Sequence, residues 1–89
     1  DNDMTEEEIE ERMKELSYLK IHPREQEENK LLLLRCESLY EESTGDIRRM
    51  IDYETRKFEE VLNTRDRGKI EEARTALKKV LQEIEEYEE

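Results

Sequence analysis

Residues 29–40 read NKLLLLRCESLY, four consecutive leucines in a chain that is 48% charged. Successive residues of an α-helix are about 100° apart, so four in a row spread over most of the circumference and no single partner covers them all. Leu32, Cys36 and Leu39 make one stripe, and Leu33 with Tyr40 extends it toward a second side. The pattern predicts a helix that enters a bundle at this point and is contacted from two sides at once.

Working outward, Pro23, Gly45 and Gly68 are the only strong punctuation, and good helix formers fill the chain between them. An all-α fold follows. On the N-terminal side, MTEEEI at residues 4–9 places Thr5 as an N-cap, Glu8 as its capping-box partner and Met4 as a staple onto Ile9. Ile9, Met13, Leu16 and Leu19 line one side at spacings of four and three, up to His22, which a following proline pushes out of the helical region. Pro23 suits the first turn of a second, long helix running to about Glu42. Its proximal part, REQEENK, shows no apolar residue on any side and reads as a solvent-exposed arm.

On the C-terminal side, STGD at residues 43–46 offers a break and a cap. A third helix then carries Ile47, Met50, Ile51, Phe58, Val61 and Leu62, interrupted by Glu54 and ending near Asn63. After NTRDRG comes the most regular pattern in the chain. Ile70, Ala73, Leu77, Val80, Ile84 and Tyr87 alternate spacings of three and four, with Ala76 and Leu81 beside them. The expected architecture is an N-terminal helix (1–22) kinked at Pro23 into a long helix, with an antiparallel three-helix bundle at the distal end (23–89). Its expected core is Leu32, Cys36, Leu39, Ile47, Ile51, Phe58, Leu62, Ile70, Leu77, Val80 and Ile84.

Composition narrows the function. With 89 residues, of which 33% are hydrophobic, the chain makes at most one small domain, too little for a large enclosed active site. A net charge of −11 disfavours nucleic acid and anionic membrane surfaces, which present phosphate, and leaves protein as the partner class. One cysteine forms no internal disulfide, so a reducing, cytoplasmic setting is expected. No apolar run approaches the ~20 residues that span a bilayer, and the acidic N-terminus is unlike a secretion signal. Asp1 in place of methionine leads us to expect a fragment of a larger chain.

Catalytic chemistry finds no footing in this inventory. His22, beside a proline at a helix junction, reads as a cap or surface residue, and Cys36, on a core face, as a small buried thiol. The carboxylate runs read as solvated helix faces. They lack the alternating ligands and glycine of a calcium loop, and one Cys with one His makes no zinc set. Neither an enzyme nor a metal or cofactor site is expected in these residues.

Taken together the segments resemble a known family. MTEEEIEERM (4–13) looks like the start of the C-terminal helical subdomain of DnaK-type heat-shock chaperones, where an acidic Glu-Ile helix leaves the peptide-binding β-sandwich. FEEVLNTRDRGKIEEARTALKKVLQEIEE (58–86) is similar to the family's final helix pair, and LKIHPREQEENKLLLLRCESLYEE (19–42) looks closest to the HscC-like branch with its short lid. Arg35 and Cys36 depart from the Arg-Asn pair of common members, so no latch residue is carried over.

The resemblance implies a lid that covers the client groove and slows client release, opened when ATP binds the ATPase domain of the parent chain. It implies no cofactor in the fragment itself. The implied partners are the β-sandwich of the same parent and, indirectly, unfolded client peptides. Ile9, Met13 and Leu16 are the expected docking stripe for that sandwich or for self-association through the first helix. Tyr18, Ile21 and His22, by position at the end of that helix, are the expected lid-to-groove neighbours. The alternative is a stand-alone acidic helical adaptor or co-chaperone, followed by a free-standing coiled-coil dimer.

Overall fold

The structure, a computed structural model, describes residues 3–87, apart from the side chains of Tyr18 and Leu19. It is all-helical: α1 (Glu6–Lys20), a 3-10 turn η1 (Pro23–Glu25), α2 (Glu27–Glu42), α3 (Gly45–Thr64) and α4 (Arg67–Tyr87). The last three helices form an antiparallel bundle in which α2 packs against both α3 and α4. The greatest dimension, 62 Å, is about twice the ~31 Å of a 21-residue helix, because α1 projects beyond the bundle.

The expected core forms. Leu32, Cys36, Leu39, Ile51, Phe58, Leu62, Ile70, Leu77 and Ile84 are buried together, with Ile47 and Val80 half-buried against them. Leu81 belongs to the same cluster and is more deeply buried than its neighbour Val80. Each side chain of this kind contributes ~1.5 to 3 kcal/mol when fully buried, which is what holds three marginal helices together. The leucine run divides: Leu32 is buried and Leu33 half-buried, while Leu31 and Leu34 face solvent. Two helices cover half of the circumference, and the other half stays wet.

The connections are short and locally satisfied. Ser43 ends α2 and is buried, and Gly45 begins α3 at φ 60°, a left-handed conformation that glycine adopts without steric cost. The N-cap of α3 is Thr44, whose own side chain makes no capping bond. At the other turn Arg65 adopts the left-handed conformation, φ 57°, and closes α3 through its N–H to the Leu62 carbonyl. Asp66 then caps α4, its Oδ1 accepting from the Lys69 N–H at 3.0 Å. Gly68 lies inside the first turn of α4 and not in the loop.

The proximal part of the second helix departs from expectation. Arg24, Glu25, Glu27, Glu28 and Lys30 are solvent-exposed as expected, but the single long helix from Pro23 is absent. The chain instead turns through η1, breaks at Gln26 and restarts at Glu27. Pro23 and Asn29 are buried, and η1 packs on α3 as well as α2. A stretch without an apolar stripe is thus pinned to the bundle at Pro23 and Asn29 while most of its side chains stay in solvent.

Candidate docking surface

The apolar stripe of α1 starts from a well-made helix end. The Thr5 hydroxyl accepts from the Glu8 N–H at 3.1 Å, and Glu6, Glu7 and Glu8 complement the positive end of the helix dipole. Every described side chain of α1 is solvent-exposed. Ile9, Met13 and Leu16 are 45%, 62% and 51% exposed, although their spacing sets all three on one side. Three large apolar side chains aligned in water make a continuous strip, the kind of surface that marks an interaction site.

The junction that presents this helix is Ile21 and His22. Ile21 is extended, with φ −103° and ψ 129°, and its N–H still donates to the Ser17 carbonyl at 3.1 Å. His22 caps η1 as expected. Its Nδ1 accepts from the Arg24 N–H at 3.0 Å, so the proton of the neutral ring resides on Nε2. Ile21 is exposed and His22 half-buried, and they stand together at the end of α1; the side chain of Tyr18 lies outside the described residues.

Below the junction, side chains the sequence reading passed over fix η1 to the bundle. Asn29 is fully buried; its Nδ2 donates to the Pro23 carbonyl at 3.0 Å and its Oδ1 accepts from Arg74 Nη1 at 2.8 Å. Arg74, on α4, is 18% exposed and also pairs with Glu28 at 3.3 Å. Arg24 reaches Glu59 on α3 at 3.3 Å, an exposed pair worth well under ~1 kcal/mol. One asparagine thus joins η1, α2 and α4. A signal for it exists in the sequence: Asn29, Leu32, Cys36 and Leu39 follow one spacing of three, four and three, and Arg74 sits likewise between Ile70 and Leu77. Both polar residues occupy core positions of their helices.

Cys36, the only cysteine, is buried beside Thr55 and Glu59. Burial pushes its thiol above its ordinary 9.0, with a Thr55 hydrogen bond and the Arg35 charge pulling more weakly the other way. A protonated, enclosed thiol suits packing and not nucleophilic attack. Among the described residues no group of three or more His, Cys, Asp or Glu is arranged to hold a metal ion, and no helix is long and apolar enough to cross a membrane.

No protein-family model matches the chain, and the curated proteins and the solved structures likewise gave no match.

Proposed function

We propose that this chain is the helical lid of an HscC-like, DnaK-type chaperone, a cytoplasmic module that gates client release mechanically and performs no covalent step. The observation that carries the reading is the α1 stripe. Ile9, Met13 and Leu16 form an exposed docking face, held off the end of a closed bundle by a capped junction at His22 and Pro23. The order of elements supports it as well. In this reading the stripe seats on the β-sandwich of the parent chain, whose ATPase domain drives opening. With Pro23 and Asn29 anchoring the start of α2 to the bundle, the surface that borders the client groove is the junction itself, Ile21 and His22, together with the adjoining end of the bundle. The lid is therefore shorter than a free arm would make it.

The test is client release from the parent protein carrying Met13→Glu and Leu16→Glu. Both residues are exposed, so the bundle folds as before. Two carboxylates against an apolar seat unlatch the lid, and peptide dissociation accelerates by about tenfold, equivalent to ~1.4 kcal/mol of lost docking. An unchanged dissociation rate, with the bundle still folded, would sink the lid reading. The net charge of −11 motivates the acidic adaptor as second reading. Salt-sensitive capture of a basic protein by this chain alone, with client release unaffected by the double substitution, favours that one.

A further inference from the structure

Besides the α1 stripe, the chain holds a second apolar face without a partner. It is the seam between α3 and α4, on the side turned away from α2. Ile47, Met50 and Val61 of α3 line it with Ala76, Val80 and Tyr87 of α4. Met50 and Tyr87 are exposed, and the seam opens near them into a hollow of about 310 Å³. The opposite side of the same two helices is occupied: Cys36 of α2 lies by Thr55 and Glu59, and Arg35 pairs with Glu85. A trough between two antiparallel helices, closed on one side by a third, is the seat of the fourth helix in a four-helix bundle.

We propose that this groove receives α1 from a second copy of the chain, the two copies exchanging helices. The lengths agree, since α1 has 15 residues, ~22 Å, and the groove runs ~21 Å along α3 from Ile47 to Val61. The charges agree too. Arg12 and Lys20 are the cations of α1 nearest the Ile9, Met13 and Leu16 stripe, while Glu54 and Glu83 stand on the two rims of the hollow and the groove's own cation, Lys57, lies farther along toward Val61. None of Arg12, Lys20, Glu54 and Glu83 has an ion-pair partner among the described residues. The copy's own α1 does not reach. Arg24 and Asn29 fix η1 on the α2 side, and the two residues of the junction span at most ~7 Å, less than the ~10 Å diameter of one helix. The inference uses only residues of this chain and does not depend on the lid reading.

Light-scattering mass of the chain over a dilution series tests it. The expected result is a mass that doubles from 10.9 kDa as concentration rises. Ala76→Glu, at an exposed position in the groove, shifts the midpoint to at least about tenfold higher concentration while the helical circular dichroism is retained. Arg12→Glu weakens association, and adding Glu83→Arg to the same chain restores it. A mass of one chain at every concentration overturns the proposal. So does a doubling that Ala76→Glu leaves unchanged, which would mean that α1 meets another surface.

Discussion

Replacing Asn29 with alanine removes a small polar side chain, yet the structure makes it a costly change outside the apolar core. Its loss leaves the Pro23 carbonyl short of one buried donor, a neutral hydrogen bond of about 1 kcal/mol, and deprives Arg74 of a charge-assisted bond of ~1.5 to 3 kcal/mol. Glu28 still holds the Arg74 guanidinium, so the lower end of that range applies. With a small cavity added, the total is about 3 kcal/mol. For an 89-residue chain, stabilities of ~0.05 to 0.15 kcal/mol per residue make that about a fifth or more of the whole. Thermal unfolding followed at 222 nm should show Tm lowered by about 12 to 24 °C. Hydrogen exchange should show the loss of protection concentrated in η1 and the first turns of α2. A destabilisation under ~1 kcal/mol would refute the reasoning, since a buried anchor at Asn29 could not be removed so cheaply.

Two further outcomes are expected. Arg65 holds a left-handed conformation that costs an ordinary residue ~1 to 2 kcal/mol, so Arg65→Gly, after the greater chain entropy of glycine is subtracted, raises stability by about 0.5 to 1 kcal/mol, read as a higher urea midpoint. The buried Cys36 thiol is held protonated in the folded state. Its contribution is therefore complete below its ordinary 9.0 and is lost as pH rises above that value toward the folded pKa. The stability of the unsubstituted chain minus that of Cys36→Ala should fall over that alkaline range, and a difference flat with pH would contradict the assignment.

How much of this was legible beforehand depended on whether a position is fixed by apolar burial or by hydrogen bonds. The stripes of α3 and α4 were readable because Ile51, Phe58, Leu62, Ile70, Leu77 and Ile84 repeat at the helical period, and Thr5 and His22 because caps are local. The packing of residues 23–30 was not. A search for apolar periodicity assigns REQEENK to water, whereas Asn29 and Arg74 fill core positions and satisfy each other there. Gly68 misplaced the start of α4 for a related reason: a glycine ordinarily marks a turn, and here Asp66 caps the helix just ahead of it. For the docking surface, the exposed stripe Ile9, Met13 and Leu16 was readable, while the α3/α4 groove was not, because Met50 and Tyr87 look like core on a helical wheel and only the arrangement of three helices leaves them uncovered.

The junction at Ile21 also makes α1 a lever. It is a rigid rod ~22 Å long hinged at one end, so a rotation of ~20° at Ile21, within the ordinary scatter of backbone dihedrals, swings the far tip by ~8 Å. None of the bonds that hold η1 in place need break, because His22 to Arg24, Asn29 to Pro23 and Arg24 to Glu59 all lie on the bundle side of the pivot. The bundle is the fulcrum, and a small torque there becomes a large displacement where Thr5 begins the helix.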